Sequence, residues 1–127
     1  MSSGTSAPAT PPGWPAQVPP PEAPQFSERA VLWLLDAAPP EFRAHDVFRH
    51  QPLVLAWTVG QYLEGALQAS RRAYAGTRRE FADQLPPEGV DAALRALEFE
   101  GVRLRRLARE VELVYEALQG RRWRHRL

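Results

Sequence analysis

The sequence contains no cysteine, and this absence removes several kinds of chemistry at once. Without a thiol the chain has no disulfide, no thiolate nucleophile and no cysteine-ligated zinc site. Glycine-rich phosphate loops, nucleophile elbows and Walker-type motifs are also missing from the sequence. We therefore predict no catalytic residue, no cofactor and no metal site, and we do not expect an enzyme.

Lysine, asparagine and isoleucine are absent as well, so all sixteen basic residues are arginine. These three amino acids have codons rich in A and T, and their joint absence beside abundant alanine, arginine and proline indicates a GC-rich bacterial genome. Codon bias of this kind weakens the usual argument that arginine is selected for bidentate contacts with anions.

The chain also lacks a long uninterrupted apolar run. Its most apolar stretch, from Leu53 to Ala69, contains Gln61, Glu64 and Gln68. Polar residues at that density are rare in a helix that crosses a bilayer. The N-terminus has neither the basic start nor the apolar segment of a signal peptide. We predict a cytoplasmic protein with no membrane span.

Proline is concentrated at the N-terminus, where residues 1–25 hold eight of the thirteen prolines and one charged residue, Glu22. This composition favours extended conformations and offers little apolar surface to bury. We predict that residues 1–25 form a disordered tail. An alternative is that this segment is a proline-rich ligand for an aromatic groove on another protein. Trp14 is the one residue in the segment that does not suit a simple solvated tail.

Helical signals begin immediately after this tail. Ser27 is a predicted N-cap for a short apolar helix that ends before Pro39, and a second short turn is predicted for residues 40–49. Pro52 suits the first position of a long helix, which Pro86 and Pro87 must end after about Leu85. Its predicted contact seam recurs every seven residues, at Leu53, Gly60, Leu67, Tyr74 and Phe81, and Gly76 is the predicted site of a break.

The strongest pattern in the sequence follows the two prolines. We predict a helix from Pro87 to Gln119 that stops at Gly120, with Leu97 and Leu104 buried in its core. Its apolar seam has strict seven-residue spacing, at Val90, Leu97, Leu104, Val111 and Leu118.

Two helices of nearly equal length joined by a few residues must lie antiparallel. The sequence therefore predicts an all-α fold: a long antiparallel helical hairpin with a short N-terminal helix packed on it. Residues 26–120 form the helical domain and residues 121–127 a basic C-terminal tail. The long helices carry more apolar surface than one short helix can cover, so we expect dimerisation to complete a bundle.

Positive charge accumulates after the predicted helix stop. Residues 119–127 hold four arginines and no acid, whereas residues 1–118 hold twelve arginines and fifteen acids, a net charge of −3. Arginines around a tryptophan can contact phosphates and stack on bases. The alternative is a solvated tail that complements the helix dipole. The candidate nucleic-acid contacts are Arg121, Arg122, Trp123, Arg124 and Arg126.

The histidines do not suggest a metal or acid–base site. His45 and His50 are five residues apart, about 500° of helical rotation, so one helical face would not present both beside Asp46.

The hypothesis that follows is a non-enzymatic helical interaction protein, an adaptor or regulator that forms a homodimer or docks the helix of an unknown protein partner. The alternative is a nonspecific nucleic-acid-associated protein that uses the arginine-rich tail.

Overall fold

The structure is a computed structural model that describes residues 10–121, and all of the regular structure in that range is helical. The all-α prediction is confirmed. None of the helices in this range combines the length and the apolarity needed to cross a membrane. The elements are α1 (Phe26–Ala37), a short 3-10 helix (Pro40–Ala44), α2 (Asp46–His50), α3 (Pro52–Phe81) and α4 (Pro87–Leu118).

The two long helices form the predicted antiparallel hairpin. Gly60, near the start of α3, lies against Val111, near the end of α4. At the other end, Arg78 and Asp91 approach within 3.8 Å beside the connection. We call the end near Pro52 the open end of the hairpin. The fold is thus built on one pair of long helices, and every other element packs near its open end or middle.

α3 ends at Phe81, four residues before the predicted end at Leu85. Pro86 and Pro87 have no backbone N–H, so the carbonyls of residues 82 and 83 cannot receive the next helical hydrogen bonds. The chain instead closes a turn in which the N–H groups of Gln84 and Leu85 both donate to Phe81 O. The prolines therefore act one helical turn upstream of their own positions.

The predicted break at Gly76 is wrong, because α3 runs through it without interruption. A helical glycine costs about 1 kcal/mol relative to alanine, which packing of the rest of the helix can offset. The next residue, Thr77, is buried, and its hydroxyl donates to Ala73 O at 2.6 Å.

α1 begins at Phe26, and the predicted N-cap Ser27 lies inside the helix. The cap position belongs to Gln25, and no side chain caps the helix. Burial of Phe26 determines where α1 begins: the Phe26 ring packs on Trp14 with ring centroids 6.1 Å apart, while Ser27 remains exposed. α1 packs on the hairpin through Ala30 and Leu34, which are both fully buried.

Residues 10–25, which we call the N-terminal arm, are folded against the hairpin. They were predicted to be part of a disordered tail, and for these residues that prediction is wrong. Pro15 and Val18 are buried, and Trp14 Nε1 donates to Val18 O at 2.9 Å. Turns closed by backbone hydrogen bonds, such as Trp14 N–H to Pro11 O, replace the extended conformation. Gly13 has φ 91°, as the third residue of a type II turn requires.

The seven-residue seam of α4 is largely confirmed. Val90, Leu104 and Val111 are buried, whereas Leu97 and Leu118 are only half-buried. Leu97 was predicted to be a buried core residue, and that part of the prediction is wrong.

The predicted seam of α3 is mostly wrong, because Leu53, Tyr74 and Phe81 are exposed. α3 must face both α4 and α1 near the open end, so its buried stripe lies between those two directions. Beyond the middle of the hairpin no third helix of the described chain covers it. The buried apolar residues of α3 are Leu55, Ala56, Val59, Leu63 and Leu67.

Candidate functional site

The predicted C-terminal site is described only at its first residue. Arg121 is exposed and follows a helix stop in which Gly120 has φ 85°. The N–H of Gly120 donates to Ala117 O and the N–H of Arg121 donates to Glu116 O, which is the pairing of a Schellman motif. The stop predicted at Gly120 is confirmed. The other four candidate contacts, Arg122, Trp123, Arg124 and Arg126, lie outside the described residues.

The basic residues of the segment before α3 stabilise their own segment. Arg43 forms an ion pair with Asp36 and donates to the α1 carbonyl of Leu35 at 3.2 Å. Arg49 in turn donates to Arg43 O at 3.0 Å, and His50 Nδ1 lies 2.9 Å from Asp46 O. These contacts close the chain around the end of α1.

A groove runs along the hairpin between α3 and α4. Its walls come from these two helices alone, so it lies on the side of the hairpin away from α1. We call it the hairpin groove. Its lining residues follow the helical spacing of both walls: Ala56, Trp57, Gly60, Gln61, Glu64, Leu67, Ser70, Arg71 and Tyr74 on α3, and Leu97, Glu98, Gly101, Arg105, Ala108, Arg109, Val111, Glu112 and Tyr115 on α4.

Small and buried apolar side chains form the floor of the hairpin groove. A Cβ added at Gly60 would lie 3.9 Å from Val111 Cγ1, so the two helices approach closely there. Leu67 and Val111 are 5% and 1% exposed, which closes the floor to water. At Gly101 an added Cβ would meet nothing within 4 Å, so the groove is open at that point.

Three acidic and three basic side chains line the rim of the hairpin groove. Arg109 donates to Glu112 at 3.2 Å, an ion pair one helical turn apart. Arg71, Arg105 and Glu98 have no ion-pair partner within 4.0 Å among residues 10–121. The same holds for Glu64, whose carboxylate accepts a hydrogen bond from Gln68 but forms no ion pair within residues 10–121. The rim is therefore neutral in sum, and four of its six charges have no ion-pair partner in this part of the chain.

Two aromatic residues extend the rim. Trp57 is 54% exposed near the open end, and Tyr74 is 44% exposed toward the connection. Large aromatic side chains with about half of their surface free are typical anchors of protein interfaces. They stand on the same face as the unpaired charges.

The two carboxylates with shifted pKa values lie elsewhere on α4. The guanidinium of Arg103 donates to Glu100, at 3.0 Å from Nε to Oε2, and this hydrogen bond lowers the pKa of Glu100. Glu110 has a raised pKa because partial burial disfavours its charge, and the distant Arg106 at 3.8 Å only partly opposes this. Both shifts arise from local pairing and burial. Residues 10–121 contain no cluster of potential metal ligands.

Sequence reasoning missed the hairpin groove as a site. The signal was present in Gly60 and Gly101, which are unfavourable inside helices unless a close approach or an open surface requires them. Seven-residue periodicity did not reveal the groove. A periodic pattern shows which residues share one face of a helix, but it does not show whether another helix, such as α1, covers that face. Comparison with known proteins adds no relative: no protein-family model, curated protein or solved structure matches this chain.

Proposed function

We propose that this protein is a non-enzymatic helical interaction protein, an adaptor or regulator, whose docking surface is the hairpin groove. The observation that supports the proposal is the combination of a closed apolar floor with unpaired charges and exposed aromatic residues on one face. Apolar contact supplies affinity, and charged groups on the rim fix register and partner choice.

The shape of the groove favours a helix as the ligand. Its walls are two long antiparallel helices, and a third or fourth helix placed along them would complete a bundle. Glycine at positions 60 and 101 lets the backbone of a docked helix come close to the floor. Helix-in-groove recognition reads side chains at helical spacing, which is the spacing of the lining residues.

Nonspecific nucleic-acid binding through the C-terminal arginines is the second proposal. It is supported by the run of four arginines without an acid after residue 119. The rim of the hairpin groove does not favour a polyanion, because its acids balance its arginines. The tail would therefore have to act alone.

A pair of glycine substitutions tests the docking proposal. Gly101→Arg places a long side chain in the open part of the groove, and Gly65→Arg makes the same change on exposed α3 surface outside it. Neither added Cβ would meet an atom within 4 Å, and both changes raise helix propensity by about 1 kcal/mol. Both variants should therefore fold.

The assay is affinity capture by the tagged full-length protein from cells of its source, with quantitative mass spectrometry. We expect proteins captured by the unsubstituted chain and by Gly65→Arg to be lost with Gly101→Arg. An identical captured set for all three proteins would contradict docking in the groove.

A further inference from the structure

We infer that the occupant of the hairpin groove is a second copy of this chain, docked face to face and antiparallel about a two-fold axis at the height of Leu67 and Leu104. This inference rests on the proposed function, since it names the partner of the same surface. The observation that supports it is the order of positive and negative residues along α3 and α4, the two walls of the groove.

On α3 the two charged groove residues are Glu64 and Arg71, with opposite signs. They are seven residues apart, about two helical turns, so they lie on the same face. Their midpoint falls beside Leu67. A two-fold axis across the helix at that midpoint places Glu64 of each copy opposite Arg71 of the other.

On α4 the same symmetry relates Glu98 and Arg109. Both line the groove, and their midpoint falls between Arg103 and Leu104. A two-fold axis at this height places Glu98 of each copy opposite Arg109 of the other. The pair again joins opposite charges.

The structure places these two midpoints at one height along the hairpin. Gly60 faces Val111 across the groove floor. Because the helices are antiparallel, seven residues forward on α3 and seven back on α4 bring Leu67 level with Leu104. A single two-fold axis therefore satisfies both helices, and the dimer gains four ion pairs of opposite charge.

Two further pairs obey the same axis. Trp57 and Arg78 lie equally far from the α3 midpoint, so the axis brings an exposed indole near a guanidinium, which is a favourable cation–π arrangement. Arg95 and Glu112 lie equally far from the α4 midpoint. The same axis also brings like charges together at two places, because Arg105 lies beside its own copy and Asp91 is as far from the α4 midpoint as Glu116.

A parallel dimer about an axis along the hairpin also pairs opposite charges, because it brings Glu98 near Arg71 and Arg109 near Glu64 of the other copy, but it leaves Glu112 and Arg95 without an opposite charge. It would place α3 of one copy against α4 of the other at equal height. Glu112 would then face the first turns of α3, which have no charged residue before Glu64. Arg95 would face the turn that carries Arg78, an arrangement of like charges.

The balance of charge also favours a copy of the chain over other ligands. The rim has three acids and three arginines, so its best complement is a surface with the same charges in reverse order. A two-fold axis produces that surface from the chain itself. Nucleic acid or an anionic membrane would instead meet repulsion at half of the rim.

Charge reversal on α3 tests both the partner and its orientation. Glu64→Arg and Arg71→Glu each create repulsion twice in the dimer, and we expect the dissociation constant to rise about tenfold, equal to about 1.4 kcal/mol. The double variant Glu64→Arg/Arg71→Glu restores opposite charges between copies. Within one chain these side chains are about 10 Å apart along the helix, so rescue cannot come from a direct contact inside the monomer.

The measurement is sedimentation equilibrium of the full-length protein over a range of concentrations, with circular dichroism to confirm that each variant is folded. We expect a dimer for the natural sequence, weaker dimers for the single variants and recovery in the double variant. A dimer that the double variant fails to rescue would overturn the antiparallel arrangement.

A single cysteine gives an independent measure of orientation, because the natural chain has none. Arg105 lies close to the proposed axis, so Arg105→Cys should form a disulfide-linked dimer on mild oxidation. Arg79→Cys is the matched control, since it is exposed on α3 and lies far from the axis. Equal cross-linking of the two variants would overturn the proposed register.

A natural chain that stays monomeric at high micromolar concentration would overturn the second-copy inference. That result leaves the proposed function separately testable, because the Gly101→Arg and Gly65→Arg capture experiment requires no dimer. Monomeric protein with Gly101-dependent capture of a different protein would assign the groove to that partner.

Discussion

Substitution of Leu113 tests whether the N-terminal arm is part of the fold. Leu113 lies two residues beyond Val111, about 200° around α4, and therefore on the opposite side of the helix from Gly60. Such a position should be exposed, yet Leu113 is only 5% exposed. The arm supplies its cover, because a Cβ added at Gly13 would lie 3.7 Å from Leu113 Cδ1.

The size of the effect follows from the carbons removed. Leu113→Ala deletes three buried carbon atoms at about 0.8 kcal/mol each, or about 2.4 kcal/mol, before any cost of the cavity. Leucine and alanine have similar helix propensities, so the helix itself contributes little. We expect the free energy of unfolding to fall by about 2.5 to 3 kcal/mol.

Phe99→Ala is the matched control on the uncovered part of the same helix. Phe99 is 73% exposed, and its truncation should change the free energy of unfolding by no more than about 0.5 kcal/mol. Both variants and the natural sequence should be unfolded in urea at one protein concentration, since any dimer makes stability depend on concentration.

The same substitution in a chain that lacks residues 1–18 completes a thermodynamic cycle. Without residues 1–18, which include Gly13, Leu113 faces water, so Leu113→Ala should cost less than about 0.5 kcal/mol there. An equal cost in both backgrounds would show that something other than the arm buries Leu113. A cost below about 0.5 kcal/mol in the full chain would show that the arm is not packed on α4.

Three further predictions concern other parts of the chain. Leu104→Ala should reduce the free energy of unfolding by about 2 to 5 kcal/mol, and Leu97→Ala should reduce it by clearly less, because Leu104 is 5% exposed and Leu97 is half-buried. Equal losses of unfolding free energy in urea would contradict this difference in burial. The pKa of Glu110 is raised by desolvation in the folded state, so the stability that protonated Glu110 contributes is present below its unfolded pKa and is lost as pH rises through its folded pKa. Glu110→Gln should therefore gain stability relative to the natural chain when the pH is changed from acid to neutral. The opposite trend in the urea midpoints would refute the sign of this shift. Truncation after Arg121 keeps the Schellman motif and removes three of the four tail arginines. If the tail binds duplex DNA through four phosphate contacts, the log-affinity slope against log salt should be about −3.6 for the full chain and about −0.9 for the truncated chain, which keeps Arg121 alone. Equal binding by the two chains would assign the contact elsewhere.

The sequence by itself predicted the two long helices, where both begin and where the second ends. Pro52 and Pro87 begin the two long helices and Gly120 ends the second, because each acts through its own backbone chemistry within one turn. The strict spacing on α4 also predicted a buried stripe correctly at Leu104 and Val111. Local rules suffice when the neighbours that matter are close in sequence.

Tertiary structure alone decided which apolar residues are covered. Leu53 and Leu55 are equally apolar and two residues apart, but only Leu55 is buried in the core. In the proline-rich arm Trp14 packs on Phe26, Val18 joins the buried core, and Gly13 lies against Leu113, a hundred residues away in sequence. Composition cannot report such contacts, because they depend on a surface that exists only once the hairpin has formed. The hairpin groove has the same origin: its floor and charged rim come from two helices, and neither helix specifies it alone.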